Sequence, residues 1–342
     1  MKLFKSIFIV LLLSFVFPFE GAAQSISKTG TTSASFLRIP VGARGSAMGN
    51  AISASVTDAS AMYWNPGGLA ALERPELLVE YADWFVDVNH NYLGAAYPLS
   101  NNRGVFGVNV TTLSMGEMEE TTYDNPEGTG RTFNAYSMAV GASYSRYLLD
   151  VFSIGANVKF IQEKIMNSSA SSVAIDIGTV YETPFDGILF GVSVSNFGQK
   201  MRMDGEDLIV STDQDEQGGG EYEPDAKLYT DEFNLPLMLR VGLAWDAYES
   251  QNFDATLTVE GNSPNDNVQS VSVGTELSFL DDLLFLRGGL PYLGREDRMY
   301  KFSVGAGVDY DISDQFGVNV GYSYMSHEYL NNISRISLKM QF

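Results

Sequence analysis

The sequence predicts an all-β chain, a transmembrane antiparallel β-barrel of about 14 strands with an N-terminal plug segment containing a short helix. Three observations predict it. Apolar and polar side chains alternate with a period of two through most of the chain after residue 75. The alternating runs are roughly nine to fifteen residues long, enough to cross a bilayer on a tilt and longer than ordinary soluble strands. The connections between them switch between short and long, as in barrels with tight periplasmic turns and larger extracellular loops.

The chain opens with MKLFKSIFIVLLLSFVFPFEGAAQ. Lys2 and Lys5 precede an apolar run from Ile7 to Phe17, then small residues at Gly21, Ala22 and Ala23. This reads as a signal peptide over 1–23, cleaved near Ala23 or Gln24. The apolar run is shorter than the roughly 20 residues of a spanning helix. Residues 24–75 follow as the plug, with alternation broken by Gly42, Gly45 and Gly49. Thr57 or Asp58 is placed to cap a short helix through Ala59–Tyr63. Asn65 precedes Pro66 and is pushed out of helical geometry, so the helix stops there, and Gly67 with Gly68 permits a tight reversal.

The barrel occupies 76–342, with strands expected at 76–83, 91–99, 103–113, 133–148, 151–165, 170–183, 187–199, 236–248, 252–262, 266–280, 282–291, 299–312, 315–327 and 332–342. The last of these shows the pattern most plainly: Ile336, Leu338, Met340 and Phe342 alternate with Ser337, Lys339 and Gln341. An even strand number returns the terminal Phe342 to the periplasmic side. The other face of the strands is mostly small, with Gly155, Gly178, Gly191, Gly242, Gly274 and Gly305 among it, so it admits close backbone approach. A 14-stranded lumen is too wide for such side chains to fill, which leaves it to water or to the 24–75 segment.

Composition narrows the function. The net charge of −21 argues against a nucleic-acid partner and against binding an anionic leaflet; as a barrel the chain is expected to be surrounded by outer-membrane lipids and lipopolysaccharide. An exported chain without cysteine does not rest on disulfides. A mean hydropathy of −0.04 excludes a helical membrane protein.

The stretches FLRIPVGARGSAMGNA and DASAMYWNPGGLA resemble the N-terminal signature of the PorV/PorQ family of outer-membrane proteins, relatives of the FadL-like barrels. The matching positions include Phe36, Leu37, Gly42, Arg44, Gly49, Asp58, Trp64, Asn65, Pro66 and Gly68; Gly67 stands where alanine is commoner. The resemblance implies a non-enzymatic barrel in the cell outer membrane, acting in type IX protein secretion or surface assembly and binding secretion-system proteins or exported cargo. It implies no cofactor. On that reading the acidic loop over about 200–235 is the docking surface, with Asp213, Asp215, Glu216, Glu221 and Glu223 as candidate contacts. Solvation alone also explains such a loop. The run 213–216 offers hard oxygens but not the spacing of a calcium loop, and no metal site is assigned.

Two other functions compete. A FadL-like transporter for hydrophobic small molecules would need an apolar pocket between plug and wall, or an opening through the wall. An enzyme would have to use His90 or His327, expected as exposed residues at the first and last extracellular turns, and no Gly-x-Ser-x-Gly elbow is present. Arg44, a charge inside a barrel, must find an acid, with Asp176, Glu276 and Asp309 as candidates.

Overall fold

Alternation of side chains closes the chain into a cylinder. The computed structural model describes residues 28–101, 103–211, 225–250, 252–295, 298–313 and 315–342. Residues 1–23, expected as a signal peptide, lie outside this range, as do Asp213, Asp215, Glu216, Glu221 and Glu223.

The wall strands are β1 Glu76–Asp83, β2 Asn89–Pro98, β3 Val105–Ser114, β4 Ala135–Leu149, β5 Phe152–Ile165, β6 Ser168–Glu182 and β7 Ile188–Gly198. They continue as β8 Met238–Tyr248, β9 Phe253–Pro264, β10 Ser270–Phe279, β11 Leu284–Leu293, β12 Tyr300–Ser313, β13 Phe316–His327 and β14 Ile333–Gln341. Each pairs antiparallel with its sequence neighbours, and β1 pairs with β14, Glu76 facing Gln341 and Asp83 facing Ser334. The result is a closed up-and-down barrel of 14 strands, which leaves no free sheet edge around most of its circumference.

The outer face carries the apolar phase of the alternation. Val140, Val158, Phe160, Val173, Ile177, Leu286, Val304 and Ile336 are exposed there, where lipid covers them. Aromatic pairs gather at the periplasmic ends, including Tyr248–Phe253, Phe253–Phe279 and Phe316–Phe342. They form the interfacial girdle expected of outer-membrane barrels. No helix among the described residues is long and apolar enough to cross a membrane.

One seam differs from the others. The β11–β12 ladder runs from Leu284 facing Val308 to Gly289 facing Ser303 and then stops. Above that point β11 bulges against β10 between Val271 and Val273, and β12 bulges against β13 between Tyr300 and Ser303. Side chains close this stretch instead, with the Tyr292 and Tyr300 rings 5.9 Å apart.

The N-terminal segment runs inside the cylinder. It begins at the extracellular mouth, where Thr32 bridges to Asn234, and leaves at the periplasmic rim, where Pro75 accepts the Phe342 amide. It contains a 3-10 turn Ser35–Arg38, helix α1 Ala43–Ala47, helix α2 Ala61–Trp64 and a second 3-10 turn Pro66–Ala71. The α2 helix starts two residues later than the expected span. Asp58 does not cap it directly, because its carboxylate is occupied by the backbone and hydroxyl of Ser60. Asn65 is extended at φ −159 and ψ 100, as the following proline requires. Gly67 and Gly68 continue into the 3-10 turn rather than reversing the chain. Close approach explains Gly67: a Cβ there would meet Gly178 and Thr179 backbone at 2.8 Å.

Candidate functional site

The inner segment is held by wall carboxylates that capture its backbone. Glu80 accepts the Gly42 amide, Glu260 the Ser53 amide at 2.9 Å, Glu76 the Ala59 amide at 2.6 Å and Glu163 the Ala34 amide at 3.1 Å. Short segments with little regular structure leave amides without helical partners, and a buried amide needs one. Glu80 and Glu260 are fully buried and each faces a cation, Arg335 at 2.7 Å and Arg240 at 3.8 Å. Arg335 in turn reaches the Ser46 hydroxyl. Sequence alone does not single out these inward glutamates and arginines. Their signal was a charged residue in phase with the small inward residues of its strand.

The signature residues distribute along this inner path. Phe36 and Leu37 are buried in an extracellular core with Ile161, Met201 and Leu235, the last two contributed by the base of the acidic loop. Arg44 pairs with Glu276 at 2.8 Å, and Glu276 also binds Arg287 at 2.5 Å. Burial acts to lower the Arg44 guanidinium pKa and Glu276 to raise it; the net is upward. Of the other acids expected near Arg44, Asp176 pairs with Lys159 at 2.9 Å and Asp309 with Lys339 at 3.4 Å. Gly49 sits at φ 67 and donates to Ser303 Oγ at 3.0 Å, so a side chain there would be strained.

Trp64 is fully buried, and its indole donates to the Val41 carbonyl at 2.8 Å. Asn65 donates to Ser53 and Thr179 carbonyls at 2.7 and 3.0 Å and accepts from Gly67 at 3.0 Å. Pro66 opens the second 3-10 turn, where its missing N–H is no loss. A Cβ on Gly68 would lie 2.2 Å from the Val56 carbonyl.

Two chambers flank the segment. The extracellular vestibule, about 240 Å³, is lined by Arg38, Tyr63, Trp64, Arg240, Tyr292 and Tyr300 among others. Arg240 lies over the Tyr63 and Trp64 rings at 5.5 and 5.4 Å. Burial pushes the Tyr63 phenol pKa up. The second chamber, about 380 Å³, is lined by Arg44, Asp58, Glu76, Glu276, Arg287 and Lys339 among others and lies toward the periplasmic end.

His90 is fully buried beneath the mouth, 3.9 Å from Glu80, not exposed at a turn as expected. His327 is packed against Phe85 and Tyr300. Among the described residues no group of three His, Asp or Glu is placed to hold a metal ion. Beside the acidic loop, Asp207 is held below the usual carboxylate range by hydrogen bonds from the Asn167 side chain and backbone and from Ser168.

Solved structures with this architecture include the Pseudomonas putida toluene transporter TodX, with 14% identity over 88% of this chain and 96% of that one, at a TM-score of 0.55. The Ralstonia pickettii toluene transporter TbuX gives 12% identity, 88% and 98% coverage, and a TM-score of 0.56. A Pseudomonas aeruginosa FadL homologue gives 13%, 89% and 98% coverage, and 0.52. At these identities the likeness is one of fold. No curated protein matches the chain. The family model described as type IX secretion system protein PorV matches residues 22–219, more than half of the chain. With that match and a closed 14-stranded barrel built around the signature residues, the chain belongs to the PorV family of type IX secretion proteins, in the outer membrane.

Proposed function

We propose that this barrel is a non-enzymatic, protein-binding component of type IX secretion that engages exported or partner proteins at its extracellular rim. The observation that carries the reading is the exposure of aromatic and apolar side chains on the extracellular connections. Tyr123 is 100% exposed, Val86 83%, Tyr229 78% and Tyr329 77%. Wall residues are covered by lipid; these lie beyond the strands, where only another macromolecule would cover them. The 200–235 loop carries an excess of acidic over basic residues, which steers basic partner surfaces. The proposed contacts Asp213, Asp215, Glu216, Glu221 and Glu223 belong to it.

The test is affinity purification of a tagged chain from outer membranes, beside a variant lacking 205–229. This deletion spares Met201 and Leu235, which are core residues. The expected result is recovery of secretion-system proteins or cargo with the full chain and their loss with the variant. Equal recovery from both would remove the loop from the interface.

A second reading, transport of hydrophobic small molecules, is favoured by the interrupted β11–β12 seam beside the aromatic vestibule. On this reading Tyr300→Ala widens the seam and speeds uptake of a hydrophobic fluorophore such as N-phenylnaphthylamine. Unchanged uptake would count against it.

A further inference from the structure

We infer that the extracellular vestibule is a binding site for small aromatic carboxylates, with the Arg240 guanidinium as the group that receives the carboxylate. The inference goes beyond the secretion reading and does not depend on it. It also differs from the transport reading, because it requires an anionic ligand and no opening through the wall.

Its basis is the charge of the lining set against the charge of the chain. The whole sequence carries −21, yet the described residues around the vestibule include Arg38, Arg240 and Arg295 and no carboxylate. These arginines come from three places: the first 3-10 turn, β8 and the connection after β11. The acids nearest two of them are buried outside the lining. Arg38 pairs with Asp266 at 2.9 Å, whereas Glu260 lies 3.8 Å from Arg240 Nε, beyond hydrogen-bond distance. Arg240 is itself buried, and Ser195 Oγ, 3.0 Å from Nη1, is its hydrogen-bond acceptor among the described residues. The other N–H donors of the guanidinium are left for the chamber that it lines. A planar guanidinium matches a carboxylate through two parallel hydrogen bonds, and a partly enclosed site strengthens the attraction.

The rest of the lining describes the body of the ligand. Tyr63 and Trp64, edge to face at 4.9 Å, fix the Arg240 guanidinium above their rings. Tyr292 and Tyr300 add a second aromatic pair beside the interrupted seam, and Arg295 lies over Tyr292 at 4.7 Å. Such faces pack against a further ring. Size is set by the volume of about 240 Å³. A cavity of about 150 Å³ takes benzene, so this one takes about ten non-hydrogen atoms, one ring with a carboxylate. A second ring or a long acyl chain exceeds it. A neutral ring would displace water from Arg240 without replacing its hydrogen bonds, and a cation would be repelled. Met299, which is exposed, belongs to the lining, so the chamber opens outward.

The measurement is tryptophan fluorescence of the full chain in lipid nanodiscs, because Trp64 and Trp84, two of its three tryptophans, line the vestibule. The probes are phenylacetate, benzoate and 4-hydroxybenzoate. At least one is expected to give a saturable change, with benzylamine and diphenylacetate at least tenfold weaker. Arg240→Lys keeps a cation beside Glu260 but loses the planar fork, and is expected to weaken binding at least fivefold. Heat-modifiable gel mobility reports whether it has folded. Met299→Trp, at an exposed position of the lining, is the second variant; it fills the chamber and is expected to abolish saturation. The inference is overturned if none of the three acids saturates, or if benzylamine or diphenylacetate binds as tightly. Wild-type binding by folded Arg240→Lys or Met299→Trp overturns it too. So does saturation by a peptide ending in a free phenylalanine carboxylate when none of the small acids binds, which would make this a peptide site. Recovery of secretion partners by Arg240→Lys should match wild type, so failure here leaves the secretion reading standing.

Discussion

At the scale of single residues, Asn65 shows why the signature needs an amide rather than any polar group. Its two N–H donors reach one carbonyl of the inner segment and one of the wall, while its oxygen caps the turn that follows. Asn65→Asp keeps the acceptor, loses both donors and sets a carboxylate against two carbonyl oxygens. Each buried group so stranded costs about 1–3 kcal/mol, so the variant should lose roughly 3 kcal/mol or more. Urea unfolding of the lipid-reconstituted barrel measures this, and an unchanged midpoint would mean that Asn65 holds nothing. Glu276 gives a second case. It neutralises Arg44 and Arg287 together, so Glu276→Gln leaves the buried Arg287 and the part-buried Arg44 uncompensated, a loss of about 3 kcal/mol. Adding Arg44→Met should restore part of it, because one of the orphaned charges is then gone. A double variant no better than the single one would show that Arg44 and Glu276 act independently.

At the scale of elements, strand positions were legible in the sequence and the inner contacts were not. Alternation is local, so β1 through β14 fall close to their expected spans. The α2 stop was legible because Asn65-Pro66 forces it locally; its start was not, because Ser60 precedes the helix without a side-chain cap. Inward charge was hidden for another reason. Glu80 and Glu260 read simply as polar positions, and their partners, Gly42 and Ser53, lie 38 and 207 residues away. The small inward residues did announce that something packs on them, and wall glycines can be ranked by what they touch. A Cβ on Gly178 would sit 1.9 Å from Asn65 Oδ1 and one on Gly155 2.2 Å from the Pro66 carbonyl, whereas Gly261 has nothing nearer than 3.8 Å. Gly178→Ala and Gly155→Ala should each destabilise by about 1–3 kcal/mol through overpacking. Gly261→Ala should be neutral or stabilising by about 0.5 kcal/mol, since alanine suits a strand interior better. Equal effects at all three glycines, read from unfolding midpoints, would mean that the inner segment yields to the wall.

At the scale of the whole molecule, the course of the inner segment fixes where its first residues lie. A 14-stranded up-and-down barrel starts and ends on the same side, and Pro75 and Phe342 are indeed hydrogen-bonded neighbours at one rim. Short turns gather at that rim, which makes it periplasmic. The segment preceding β1 crosses the lumen to the opposite end. There Thr32 bridges to Asn234 and bonds Asp266, and Arg38 pairs with Asp266 at 2.9 Å, all on extracellular connections or against them. Described residues near Lys28 therefore stand at the cell surface, although the strand count alone would put the start of the barrel in the periplasm. An epitope placed just before Lys28 should bind antibody on intact cells. The same epitope in the Asp281–Asp282 turn should bind only after the outer membrane is permeabilised. If the first epitope also required permeabilisation, the inner segment would have to enter from the periplasmic end, and its hydrogen bonds to Asn234 and Asp266 would be absent in the cell. The outcome also bears on docking, because a partner gripping the base of the acidic loop at Asn234 would hold the same strand of chain that leads down to Arg44 and Trp64.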